Sequence, residues 1–326
     1  DYSRAVLDGD LDKARATIRR AAELAPGSKA VYNWALMAVR IGRPVEAREA
    51  LGSLHPDRGV MRDVSRYWIR LIEASHQLGD HVRELEEVRE LATRHPDDRS
   101  VLFQNVRVLA AMGEADSLQA LFRSRRMTGL RPEIVSRRYR NAAVELFAHG
   151  HDAEAREMAT QGIRWIDRSL PATDRLSALN VGVDITGVRI DITARDEAMY
   201  QRARLLELLS RKEEALAAYE DLLETNPRAW WLRGHRGVML AWMGDEEGAR
   251  TVDSWLQSST PEYGASAVTL WRAGIAARLG EHKRAVALLQ RARLEGRIWD
   301  SLHAWFHLYD ALGDDPAFQR FMAPQG

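Results

Sequence analysis

The stretch that indicates the fold runs from Asp196 to Pro227 and has the sequence DEAMYQRARLLELLSRKEEALAAYEDLLETNP. An apolar helical segment ends near Ser210, a short polar turn follows, and a second helical segment begins after it. Pro227 ends the second segment, because proline cannot continue a helix. The stretch therefore predicts two antiparallel helices joined by a tight turn.

The same arrangement recurs along the chain, with glycine at the place that Ser210 takes here. These glycines are Gly9, Gly42, Gly79, Gly113, Gly150, Gly244, Gly280 and Gly313. Consecutive turn positions, Ser210 included, are 33, 37, 34, 37, 60, 34, 36 and 33 residues apart. Such regular spacing predicts a protein built from repeated helix pairs. Glycine suits each helix end because it accepts a positive φ without a Cβ clash.

Two further positions repeat with the turn. Five residues after it a small residue is preferred, at Ala14, Ala47, Ala155, Ala215, Ala249 and Ala285, whereas Glu84, Leu118 and Phe318 take that place in other units. Seventeen residues after it a proline closes four units, at Pro26, Pro96, Pro227 and Pro261. A small side chain lets two antiparallel helices approach closely. The early Pro56 predicts a shortened closing helix in the second unit.

This pattern resembles the tetratricopeptide repeat, a helix–turn–helix unit of 34 residues with small residues at its helix contacts and a closing proline. The resemblance implies an all-α, right-handed superhelical solenoid of about nine units. In that family the first helix of each unit lines a concave groove that binds partners. Since helices of about 12 residues are marginal alone, each must bury its apolar stripe against its neighbours.

One interval breaks the spacing, because 26 residues too many separate Gly150 from Ser210. Within the excess, Val181, Val183 and Ile185 alternate with small or polar residues, and Val188, Ile190 and Ile192 do so again after Thr186-Gly187. The alternation predicts either a small β-hairpin or a long irregular connection. We therefore divide the chain into about five units over 1–167, an interruption over 168–195, and about four units over 196–326.

Composition excludes several classes of protein. Basic and acidic residues are both 47 in number, so no net charge draws the chain to nucleic acid or to an anionic membrane. The chain has no cysteine, which excludes disulfides and thiolate chemistry. No nucleotide-binding, nucleophile-elbow or metalloprotease motif occurs. We expect no enzyme activity and no cofactor.

Histidines offer the one candidate metal motif. His303 and His307 are four residues apart, with Asp310 near the same helical face, a spacing that can bind a divalent ion. The aromatic residues between them favour ordinary packing, so we expect no metal site. His149 and His151 flank Gly150, and we expect both to be solvated.

The position of each residue within the family's repeat unit predicts which residues line the groove. The predicted lining is rich in arginine, aromatic and amide side chains. These residues are Asn33, Arg66, Arg70, Phe103, Arg107, Arg137, Arg140, Asn141, Tyr200 and Arg204, with Trp231 and Trp271 as a possible apolar anchor or as ordinary core. Asn33, Arg66 and Arg70 also resemble part of the clamp by which co-chaperones of the family bind a C-terminal carboxylate. Arginine forks suit the carboxylates of an extended peptide.

Local charge favours an anionic partner. The segment Leu121–Asn141 contains seven arginines and one acid, Glu133, a net charge of +6 over 21 residues. These arginines either attract an anion or pair with acids of adjacent units. The function that follows is a scaffold that binds a peptide or protein, and the local charge favours an acidic one. The alternatives are a sensor of small anions and a self-assembling structural module.

The sequence also indicates what kind of protein the chain belongs to and where that protein is located. It begins at Asp1 inside half a unit, as expected for the C-terminal part of a larger bacterial regulatory or signalling protein. The longest apolar run, Trp34–Val39, is far shorter than the roughly 20 residues of a membrane span. We expect a cytoplasmic protein without membrane insertion, in which nucleic acid is an unlikely partner.

Overall fold

Antiparallel α-helices form most of the chain in the computed structural model, which describes residues 11–175, 180–185, 188–259, 265–295 and 309–323. The helices are α1 (Leu11–Leu24), α2 (Lys29–Arg40), α3 (Pro44–Gly52), α4 (Ser65–Gln77), α5 (His81–Arg94), α6 (Arg99–Ala111), α7 (Ala115–Arg123), α8 (Arg125–Thr128), α9 (Pro132–Ala148), α10 (Asp152–Arg175), α11 (Ala194–Leu208), α12 (Lys212–Thr225), α13 (Trp230–Met243), α14 (Glu246–Ser258), α15 (Ala265–Arg278), α16 (His282–Leu294) and α17 (Pro316–Met322). Short 3₁₀ turns cover Gly59–Met61 and Asp310–Leu312. The all-α repeat fold is confirmed.

Successive helices pack as pairs, and the first helix of one pair also contacts the first helix of the next. The pairs in the described residues are α2/α3, α4/α5, α6/α7, α9/α10, α11/α12, α13/α14 and α15/α16. Contacts between α6 and α9, α9 and α11, and α13 and α15 continue the stack along the first helices. The first helices therefore share one side of the molecule, as the sequence register requires.

The turn within each pair has the predicted left-handed residue. Glycines at Gly42, Gly79, Gly113, Gly150, Gly244 and Gly280 have φ between 71° and 87°. Ser210 has φ 58°, so it does take the place of the glycine, as predicted. Gly313 differs: its φ is −51°, because it follows the 3₁₀ turn Asp310–Leu312 rather than a full helix. Gly9 lies outside the described residues.

The position five residues after each turn lies in the core. Ala47, Ala215, Ala249 and Ala285 have no exposed surface, and the larger Leu118 is also fully buried. Glu84 occupies the same position with 0% exposure. A carboxylate without solvent must be paired or hydrogen-bonded to be tolerated. The second unit also behaves as predicted, since α3 ends at Gly52, before Pro56.

The interruption contains an antiparallel hairpin of β1 (Asn180–Ile185) and β2 (Val188–Thr193), in which Asn180 pairs with Thr193 and Ile185 with Val188. This selects the hairpin over the irregular connection. Helix α10 continues to Arg175 before the hairpin, and α11 begins at Ala194 directly after it. One hydrophobic cluster extends from Val106 to Met239 across this segment. The helices on its two sides therefore share a core.

Among the described helices, none combines the length and the apolar character that crossing a membrane needs.

A long-range hydrogen bond connects the two ends of the described helix stack. The Arg293 guanidinium donates a hydrogen bond of 2.9 Å to the carbonyl oxygen of Ile41, so α16 lies against the turn after α2. The first and last described helix pairs are thereby brought into contact despite their distance in sequence.

Candidate partner-binding face

Helices α6 and α9 together present a cationic surface built around one aromatic ring. The Arg138 guanidinium lies 5.0 Å from the centroid of the Phe103 ring, and the Arg107 guanidinium lies 5.9 Å from it. Arg137 and Arg140 flank Arg138 on α9. We name these five residues the Phe103–Arg138 face.

The arginines of this face differ in how fully they are neutralised. Arg137 Nη2 lies 2.8 Å from Glu197, and Arg107 Nε lies 3.3 Å from Glu84. Arg140 Nε donates to the neutral amide of Gln201 at 3.1 Å. Arg137 and Arg107 are thus held by acids of other helices, which is one of the two outcomes expected for the arginines of this segment.

Arg138 has no hydrogen-bond partner of this kind in the described residues. No acid lies within ion-pair distance of it in the described part of the chain, and its buried Nε has no hydrogen-bond acceptor there. Burial lowers the pKa of the Arg138 guanidinium, and the charge of Arg137 lowers it further. Burial likewise lowers the pKa of Arg140, with Arg204 adding to the effect. The face therefore has an excess of positive charge that the protein itself leaves incompletely balanced.

In the carboxyl-terminal helices the predicted lining residues are buried. Tyr200, Arg204, Trp231 and Trp271 are between 1% and 7% exposed. Tyr200 Oη lies 2.9 Å from His235 Nε2, and Arg204 donates to Tyr200 Oη at 3.3 Å. These side chains satisfy one another inside the helix stack and offer almost no surface to a partner.

Close packing of α13 on α15 causes this burial. A Cβ atom on Gly234 would lie 2.3 Å from Cγ of Trp271, so only glycine lets the indole rest against α13. Trp271 also lies 4.1 Å, ring to ring, from His235, which stacks on Tyr219 at 4.5 Å. Of the two possibilities for Trp231 and Trp271, the structure favours core packing.

Comparison with known proteins identifies one helix pair of this chain. Residues 197–229, which form most of α11 and α12, match the model of a tetratricopeptide repeat family. The match thus covers one of the repeated helix pairs. No curated protein matches the chain.

Several solved structures are similar to this chain. A tetratricopeptide repeat protein from Parabacteroides merdae is 14% identical, over 87% of this chain and 98% of that one, with a TM-score of 0.45. Yeast Tom70 is 12% identical over 98% and 88%, with a TM-score of 0.29. Naa15/Naa10 bound to HypK-THB is 14% identical over 98% and 59%, with a TM-score of 0.32.

The positions that resemble the carboxylate clamp lie on α2 and α4. Asn33 is half-buried and Arg66 is exposed. The guanidinium of Arg70 is bonded to Glu73 on its own helix. This pairing occupies the arginine that a clamp would need.

The remaining predicted residues have mixed outcomes. Asn141 is half-buried on α9. The expected solvation of His149 and His151 is wrong, because His149 contacts Glu145 and His151 packs over Gly113. His303 and His307 lie outside the described residues.

Sequence reasoning left out two sets of residues. It placed Arg138 in the arginine-rich segment and omitted it from the face, because repeat register assigns that role to its neighbours. It also omitted two groups of side chains, within the described residues, that could hold a metal ion. Both groups contain His76, and their other members include Glu84, Glu145 and His149. The available signal was Glu84, a carboxylate at a position where other units have alanine.

Proposed function

We propose that this chain is a non-catalytic scaffold whose Phe103–Arg138 face binds an acidic segment of a partner protein. The observation that carries the proposal is the half-buried Arg138 guanidinium, which has no acid partner in the described structure and lies over an aromatic ring. Removing a cation from water without a counter-charge is unfavourable. A carboxylate of a partner would supply that charge together with a hydrogen-bond acceptor for Nε.

The rest of the face suits an extended peptide. Phe103 offers an apolar contact between charged groups, and Asn141, next to the face on α9, offers amide hydrogen bonds to a peptide backbone. Within the described residues Arg140 donates to the amide of Gln201 and to no acid, so it can donate to a second carboxylate. An acidic peptide with an apolar side chain between its carboxylates is therefore the ligand that this surface best complements.

Fluorescence anisotropy with a labelled oligoglutamate peptide tests the proposal. The unchanged chain is expected to bind it in low salt, with affinity falling as salt rises. The double variant Arg138→Gln/Arg140→Gln is expected to bind about tenfold or more weakly, since each lost charge-assisted hydrogen bond contributes about 1.5–3 kcal/mol.

Arg126→Gln is the matched control. Arg126 belongs to the same arginine-rich segment but is exposed on α8, away from the face. Its replacement is expected to leave affinity nearly unchanged. Equal losses in the control and in the double variant would show that general positive charge, and not this face, attracts the peptide.

A further inference from the structure

Three helix ends bring histidine and glutamate side chains together beside the Phe103–Arg138 face, which Glu84 contacts through Arg107. His76 lies in the last turn of α4, Glu84 in the first turn of α5, and Glu145 with His149 at the end of α9. The ring centroids of His76 and His149 are 5.7 Å apart, and His81 lies 4.6 Å from His149. We name the residues His76, His81, Glu84, Glu145 and His149 the His76 cluster.

Three donor atoms in this cluster have the spacing of metal ligands. Glu145 Oε2 lies 3.4 Å from His76 Nε2 and 3.6 Å from His149 Nε2. These separations exceed the roughly 2.7–3.2 Å of a good N–H···O hydrogen bond. They are close to the edge of a tetrahedron around zinc, about 3.3–3.4 Å for metal–ligand bonds of about 2.0–2.1 Å.

The second nitrogen of His76 is already fixed. Its Nδ1 lies 3.0 Å from Glu84 Oε2, and with Nδ1–H donated to that carboxylate it is Nε2 that can ligate an ion held by Glu145. A metal-binding histidine in proteins almost always donates its other ring N–H to a carboxylate or carbonyl. Glu84 is itself held by His81 Nδ1 at 2.9 Å and by Arg107 Nε at 3.3 Å. These contacts therefore fix the Glu84 carboxylate behind the proposed ligand His76.

Access and charge also suit a cation. The side chains of Glu145 and His149 are 15% and 26% exposed, so an ion can reach them from solvent. Two carboxylates border His76, Glu84 at Nδ1 and Glu145 at Nε2. The two carboxylates thus make this place favourable for positive charge.

We propose that His76, Glu145 and His149 bind a divalent transition-metal ion, with zinc the best match to two imidazoles and one carboxylate, and that Glu84 orients His76 for this role. Three protein ligands leave a fourth position for water. The ion would join α4 to α9, two helices that are distant in sequence, and so would stabilise the stack between them. The site adjoins the Phe103–Arg138 face through the Glu84–Arg107 pair, so zinc binding is measured without the peptide.

Calorimetric titration of the EDTA-treated full chain with zinc chloride tests the site. Binding of about one zinc per chain is expected, with a rise in the melting temperature, because an ion that binds only the folded state stabilises it. His149→Ala is expected to weaken zinc binding more than tenfold. Glu84→Gln is expected to weaken it about 10–100-fold, the usual effect of a residue behind a ligand.

His282→Ala is the matched control, because His282 is an exposed histidine at the start of α16. Circular dichroism of each variant without metal verifies the fold, and a visible spectrum of the cobalt-substituted chain reports tetrahedral ligation without relying on affinity. The proposal is overturned if the intact chain binds no zinc, or if His149→Ala and His282→Ala bind it equally. It is also overturned if His81→Ala abolishes binding while His149→Ala retains it, since the ligands would then be His76, His81 and Glu84.

Discussion

The pair α6/α9 and the pair α13/α15 are both neighbouring first helices of the stack, yet one leaves its polar side chains accessible and the other buries them. On α6 and α9, Phe103 and the arginines around it are half-buried. On α15, Trp271 is 1% exposed against α13. The difference arises at Gly234 and Gly237, where Cβ atoms would lie 2.3 Å from Trp271 and 2.6 Å from Ile275. First helices at the same place in the repeat thus form an open or a closed face, depending on how closely the two helices approach each other.

The largest effect is expected from Trp271→Ala, which tests whether the closed pair is core. Removing a fully buried tryptophan leaves a cavity and is expected to lower the free energy of unfolding by about 3–5 kcal/mol. Chemical denaturation followed by circular dichroism measures it. Phe103→Ala is the counterpart: it is expected to cost less stability but to weaken binding of the oligoglutamate peptide. If both variants lost stability equally, the distinction between the two faces would be wrong.

Gly234→Ala tests the cause of the close approach. The added methyl overlaps the Trp271 ring and is expected to destabilise the chain by about 1–3 kcal/mol, as overpacking does in a filled core. Gly52→Ala is the control, because a Cβ there meets nothing within 4 Å. It is expected to leave stability unchanged or to raise it slightly, since alanine reduces the entropy of the unfolded chain. Thermal melts of the two variants give the comparison.

Alkaline titration probes the closed region without changing its packing. Burial raises the pKa of Tyr219 well above its usual value, and Glu207, to which its hydroxyl donates at 2.7 Å, raises it further. Burial also raises the pKa of Tyr200. A tyrosine whose pKa is raised by folding stabilises the folded state fully below about pH 10, and this contribution is lost as pH rises above it.

Ultraviolet absorbance of tyrosinate measures this behaviour. At about pH 11 the folded chain and the variant Tyr219→Phe are expected to form the same amount of tyrosinate, because Tyr219 remains protonated in the folded protein. Less tyrosinate in the variant would mean that Tyr219 ionises with the exposed tyrosines. The closed network around His235 would then be looser than its contacts indicate.

The smallest effect on stability is expected from Arg138→Met. The replacement keeps much of the side-chain volume and removes a half-buried charge that has no acid partner in the described structure. The free energy of unfolding is expected to change by no more than about 0.5 kcal/mol or to increase slightly, while peptide affinity falls. A large loss of stability would show that Arg138 serves the fold and not a partner.

Much of the fold could be predicted because it depends on local chemistry. The left-handed turn at Ser210 followed from its place in the repeat, and the hairpin after α10 followed from alternation of apolar residues around Thr186-Gly187. Repeat register also placed Phe103, Arg107 and Arg137 on first helices. Such features are decided within a few residues of sequence, and each helix pair repeats them.

The rest depends on contacts between distant parts of the chain. Nothing near Trp271 in sequence reveals that Gly234 admits its ring, and nothing near His76 reveals that Glu145 reaches it. Glu197 neutralises Arg137 from 60 residues away. Exposure, ion pairing and ligand clusters are set by such tertiary contacts, so the candidate sites were predicted only in part.

Hydrogen–deuterium exchange of the full chain with and without the oligoglutamate peptide tests the central claim most directly. Added protection is expected in the segments of α6 and α9 that contain Phe103 and Arg138, and it should disappear in Arg138→Gln/Arg140→Gln. Segments of α13 and α15 are expected to show the same exchange in both conditions. Protection concentrated in α13 and α15, or unchanged protection in the double variant, would contradict the assignment of the binding face.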